Sequence, residues 1–145
     1  MAWPAQDSLL SAVRGHHIGR HPLLRFAYEL GVVHGKLLDG PATADLLADV
    51  RGLVDSINQW LDSRLPTPHP RAHLIRATVG GLIDRIAEVQ VRAYRLLMTL
   101  GADDPRVHDS WTDLARLIET YDDLVTGIDR RMYRLASPTD ASPSC

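Results

Sequence analysis

The sequence predicts an all-α fold, an antiparallel up-down four-helix bundle with a short extra N-terminal helix, and three observations predict it. Apolar residues recur at alternating spacings of four and three along four long segments. Prolines stand where those segments should begin, and glycines where they should end. The connections are short, which makes consecutive helices antiparallel neighbours.

The elements follow in order. A short helix is expected from Pro4 to Arg14, stopped by Gly15. The next spans 22–39, opened by Pro22 and closed before Gly40, with Leu23, Ala27, Leu30, His34 and Leu37 on its seam. A helix over 41–64 offers Leu47, Val50, Val54, Ile57 and Leu61, with Leu46, Leu53 and Trp60 alongside. A fourth, over 70–100, carries Ile75, Val79, Leu82, Ile86, Val89, Ala93, Leu96 and Leu100 before Gly101. The last, over 104–135, carries Val107, Trp111, Leu114, Ile118, Tyr121, Val125, Ile128, Met132 and Leu135. Heptad-like seams on every long helix bury one stripe each against the others, and no strand pattern competes. Residues 1–135 form one domain on this reading, and 136–145 read as a disordered tail.

Composition narrows the classes. The chain has 145 residues, 45% hydrophobic, and a formal charge of −2, so a bundle of this size has core enough without staples. The balance of charge gives no reason to expect nucleic acid or membrane binding. The single cysteine, Cys145, rules out an internal disulfide framework and points to a reducing, cytoplasmic setting. Lys36 is the only lysine among 16 basic residues, and Glu29, Glu88 and Glu119 the only glutamates among 18 acidic ones. That bias reflects a GC-rich coding sequence and carries no functional weight.

Charge is distributed unevenly once the helices are laid side by side. One end of an up-down bundle gathers Arg14, His16, His17, Arg20, His21, Arg25, Arg64, His69, Arg71, His73, Arg76, Arg130, Arg131 and Arg134. The other gathers Asp39, Asp45, Asp49, Asp103, Asp104, Asp109 and Asp113. Helix dipoles explain acids at N-termini and bases at C-termini. They do not explain Arg25, Arg71 and Arg76, which add positive charge to expected helix starts. A small anionic ligand would relieve that conflict, with Arg20, His21, Arg25, Arg71 and Arg76 as anchors and the glycine-bearing loop 14–22 to wrap it. The competing reading is a solvated charged rim.

His34 takes a seam position where leucine or alanine would be routine. At about 1.5 Å of rise per residue it lies about 18 Å from the basic end, a level the last helix reaches at Tyr121. His34 and Tyr121 are therefore candidate acid/base groups; the alternative is a core histidine bonded to Tyr121 or to a backbone carbonyl. Gln90, about 12 Å higher by the same count, reads as a satisfied core amide. The row Ala27, Gly31, Gly35 beside the seam allows either a close helix neighbour or room for a ligand. No metal site is expected, because the inward Glu-x-x-His pairs of a di-iron bundle are missing from the sequence. No nucleophile motif, P-loop or dinucleotide fingerprint occurs either, so no cofactor is expected.

The stretches Leu23 to His34 (LLRFAYELGVVH), Gly80 to Tyr94 (GGLIDRIAEVQVRAY) and Tyr121 to Val125 (YDDLV) resemble a family of small all-helical bacterial proteins catalogued as a domain of unknown function. The likeness covers most of residues 3–135 and is most specific at Gly80, Ile83-Asp84-Arg85 and Arg92-Ala93-Tyr94. The family pattern carries a glutamate before the threonine, where this chain has Ala77 before Thr78. The resemblance implies the fold and a bacterial cytoplasmic setting, without an activity. It also draws attention to Asp84 and Arg85, which periodicity places on an outer or interface-facing surface. The function expected is a small-anion or small-molecule-binding bundle, and as an enzyme a cofactor-free isomerase, lyase or cyclase. The alternative is a non-catalytic homodimeric interaction protein, its contact running through Asp84, Arg85, Glu88 and Trp60 or through apolar helix flanks.

Overall fold

The computed structural model describes residues 2–16 and 19–135; the expected tail and Cys145 lie outside them, as do His17 and Ile18. Five helices carry the fold: α1 (Gln6–Val13), α2 (Pro22–Asp39), α3 (Ala44–Asp62), α4 (Val79–Leu100) and α5 (Pro105–Asp129). The four long ones run up and down, and α1 packs against them.

Helix starts follow side-chain chemistry. Thr43 Oγ1 accepts from the N–H of Leu46 at 3.2 Å, Thr78 Oγ1 from Gly81 at 3.0 Å, and Asp104 Oδ1 from Arg106 at 2.9 Å. Each satisfies a donor that the first helical turn leaves without a partner. Gly15 and Gly101, at φ of 82° and 87°, allow left-handed or otherwise disallowed backbone just past α1 and α4.

Two boundaries differ most from the periodicity. The third long helix begins at Val79, and the fourth ends at Asp129. The excised segments form a parallel pair, β1 (His73–Ile75) with β2 (Tyr133–Leu135), in the register His73 to Tyr133 through Ile75 to Leu135. Pro66, Pro68 and Pro70 hold the first segment extended. At the second, Arg131 turns the chain at a φ of 62°. Tyr133 then lies so close to Gly127 that any β-carbon there would collide with its ring. Ile75 and Leu135 still pack on the core, but from strands.

The position of α1 decides the rest. Its N-terminal approach meets the start of α2, where the ring Nε2–H of His21 donates to the carbonyl of Ala2 at 2.9 Å. Its far end meets Gly31, where a β-carbon would strike the Val13 carbonyl. Thus α1 runs parallel to α2, not back along it. The helix neighbours of α5 are α4 and α1; α4 alone touches all the others. Among the described residues no helix is long and apolar enough to cross a membrane.

Candidate functional site

At the basic end Arg64, Arg131 and His21 serve the backbone. The Arg64 guanidinium stacks over Trp60 at 4.4 Å from the ring centroid and donates to the Trp60 carbonyl at 2.5 Å, covering the end of α3. Arg131 Nε donates to the Thr67 carbonyl at 2.6 Å. His21 is the N-cap of α2: its Nδ1 accepts from Leu23 at 3.1 Å while Nε2–H serves Ala2, so both ring nitrogens are occupied. Its ring meets Trp60 edge-on at 5.5 Å, which does place the start of α2 beside the end of α3.

The proposed anchors are not brought together around one cavity. Arg20, Arg25 and Arg71 are exposed. Arg76 lines a cavity of about 800 Å³ between the end of α3 and the strand pair, together with Asp55 and Asp62, which offset its charge. With α4 starting at Val79, Arg71 and Arg76 precede the helix and oppose no dipole. That removes the conflict from which the anion expectation arose at those two positions. Only Arg25 stands within a first helical turn.

His34 and Tyr121 have separate partners, because α1 stands between α2 and α5. The Tyr121 hydroxyl, with its residue 1% exposed, donates to the Pro4 carbonyl at 2.8 Å. Burial, with a smaller contribution from the Asp122 charge, pushes this phenol well above its ordinary range, so it stays a neutral donor that ties α1 to α5.

The partner of His34 is Asp84, at 2.6 Å from Nε2 to Oδ1. Asp84 therefore faces α2 at the α2–α4 contact and does not sit on an outer surface; Arg85, pairing with Glu88 at 3.0 Å, does. Periodicity missed Asp84 because it flanks Ile83 and Ala87 on the edge of the buried stripe of α4. The histidine is 8% exposed and the aspartate side chain 23%. In a neutral ring, donation from Nε2–H to this carboxylate places the lone pair on Nδ1. Among the described residues Nδ1 has no hydrogen-bond partner, yet it is not a sealed orphan.

That nitrogen belongs to a residue lining a cavity of about 380 Å³ between α2, α3 and α4. Leu37, Leu38, Leu47, Val50 and Val91 supply apolar walls, and Glu88 and Arg92, 3.6 Å apart, stand at the polar margin. A concave, mostly apolar site with a few convergent polar groups is the usual form of a small-molecule pocket. Among the described residues no group of three or more histidine, cysteine, aspartate or glutamate side chains is placed to hold a metal ion.

Gln90 also departs from expectation. It is 2% exposed, and its Oε1 is buried without a hydrogen-bond partner among the described residues. An orphaned buried acceptor costs about 1–3 kcal/mol. No family model, no curated protein and no solved structure matches this chain.

Proposed function

We propose that this protein is a small-molecule-binding helical bundle whose ligand occupies the α2–α3–α4 cavity against the His34–Asp84 pair. The 2.6 Å bond carries the reading, because it orients the imidazole and frees Nδ1 as an acceptor. The walls favour an apolar body, and Nδ1 favours a hydroxyl or an acidic C–H. As an enzyme, the site would work by proton transfer alone: Nδ1 takes a proton from the substrate, the Asp84 carboxylate steadies the resulting imidazolium, and the proton returns to a different atom. Isomerisation, elimination and cyclisation all fit that sequence. Ile83-Asp84-Arg85 is also where the resemblance to the helical bacterial family is most specific, and a cytoplasmic setting accords with the lone cysteine.

A homodimer is the second reading. It rests on Tyr28 and Val32, 37% and 41% exposed beside Gly52 and Leu53 across the outer α2–α3 groove. Nitrogen-resolved NMR of the His34 ring during titration with phenol and cyclohexanol separates the two. Ligand binding predicts an Nε2–H tautomer and a saturable shift at Nδ1 that Asp84→Asn weakens and His34→Leu removes. A ring that ignores both alcohols, together with sedimentation near twice 16.1 kDa, would favour the dimer.

A further inference from the structure

A second cavity, of about 410 Å³, lies where the end of α1 meets the C-terminal half of α4, lined by Arg14, His16, Gln90, Tyr94, Arg95 and Met98 with Val13 and Val91. We propose that it binds a small carboxylate with an aromatic or branched apolar body, at a site separate from the His34 cavity.

Three observations converge on that class. The first is sign. Among the described residues no acidic side chain lines this cavity, whereas Asp55 and Asp62 line the cavity of about 800 Å³ and Asp84 and Glu88 the His34 cavity. Arg14, His16 and Arg95 thus line a space with no acidic side chain in its wall, and arginine matches a carboxylate through paired N–H donors. Arg95 is already steadied by Asp39 at 2.5 Å, which leaves Arg14 as the principal anchor.

The second is Gln90. Its Oε1 is sealed in the core without a partner, while Nε2 has neither a protein acceptor among the described residues nor complete burial. The amide therefore presents its N–H₂ edge toward the cavity it lines, where it donates to a ligand oxygen. A methionine or leucine would serve the core better. An amide kept at a 2% exposed position is an exception to buried-polar pairing that a ligand contact at Nε2 would explain.

The third is the wall. Tyr94 and Met98, 47% and 68% exposed, stand one helical turn apart on α4 and are among the large apolar side chains left uncovered. A ring and a thioether side by side suit an aromatic or branched ligand body.

The test uses the full chain labelled at methionine methyls, with sodium phenylacetate as probe and phenylacetamide and inorganic phosphate as controls. Phenylacetate should shift the Met98 methyl saturably, with affinity at least about tenfold above either control. Arg14→Gln should weaken it about tenfold. Gln90→Met should raise the melting temperature and yet weaken binding, a combination that general damage to the fold does not produce. Four results would overturn the proposal: no saturable shift at Met98, equal affinity for the uncharged amide, equal affinity for phosphate, or unchanged binding in both variants.

Discussion

The stretch of α2 that α1 reaches, up to Gly31, and the stretch beyond it beside α3 carry equally regular apolar patterns and end in different states. On the first, Leu23, Ala27 and Leu30 are completely buried, and Gly31 admits the Val13 carbonyl at its surface. On the second, Leu38 and Leu47 remain 41% and 46% exposed, Ile57 and Leu61 are the only buried residues of α3, and a cavity opens beside His34. The difference lies in the neighbour. A heptad-like stripe states which face of a helix is apolar, but the distance to the next helix depends on what else is wedged into the bundle. Here α1 ends against Gly31, and beyond it, among the described residues, Leu38 and Leu47 are left partly uncovered.

The same leucine truncation on the two sides is the widest measure of that contrast. Leu30→Ala should cost about 2–5 kcal/mol, since a completely buried side chain leaves both lost transfer energy and a cavity. Leu47→Ala, already half in solvent, should cost less than about 1 kcal/mol. Urea unfolding of both variants gives the comparison directly, and near-equal losses would mean that α3 closes on α2 in solution.

Glycine substitution should change sign across the same divide. Gly31→Ala forces a β-carbon onto the Val13 backbone and should destabilise by about 1–3 kcal/mol. Gly35→Ala, one turn further along α2 with nothing within 4 Å, should stabilise by about 0.5–1 kcal/mol through helix propensity alone. The ambiguous row read from the sequence is thus two different things, a close approach at Gly31 and free space at Gly35. A loss of stability at both positions would show that the open side is filled.

Much of this was legible from the residues. The four long helices, their seams, Pro22 and Pro105 at helix starts, Gly15, Gly40 and Gly101 just past helix ends, and His34 as an odd seam residue all follow from periodicity and local chemistry, whereas Pro41 and Pro70 stand before segments that Thr43 and Thr78 cap instead. Three things were not. Ile75 and Leu135 continue the helical spacing while the backbone between them and the helices is interrupted by Thr78 as a cap and by Arg131 in the left-handed region. Spacing alone does not register such a break, although Pro66, Pro68 and Pro70 before Thr78 offered a signal. The direction of α1 depended on tertiary bonds from Ala2 and Pro4 that no local pattern encodes. With it went the expected meeting of His34 and Tyr121, and the basic end lost Arg14 and His16 to the cavity beside Gln90. Charge clusters at bundle ends also mislead for a general reason. Exposed carbonyls at helix C-termini attract arginines whether or not a ligand exists, as Arg64 shows.

The smallest effect distinguishes the two sides by pH. The starts of α3 and α5 are both capped, by Thr43 and Asp104 respectively, but only one cap titrates. The Asp104 carboxylate is held below its ordinary range, first by the Arg106 side chain, with Nε and Nη2 at 3.1 and 3.0 Å, and then by the Arg106 backbone N–H. A carboxylate with a depressed folded value contributes its stability above the unfolded value, about pH 4, and loses it as pH falls through the lower folded one. Amide exchange followed downward from about pH 4 should therefore show the Arg106 N–H losing protection relative to Leu46, whose Thr43 cap carries no titrating group. At neutral pH the order should be reversed, with the thinly buried first turns of α3 opening before the start of α5, where Val107 and Ser110 are buried. Parallel loss at Leu46 and Arg106 on acidification would mean that the two starts open as one unit, and the division of the bundle into a closed and an open side would not extend to its far end.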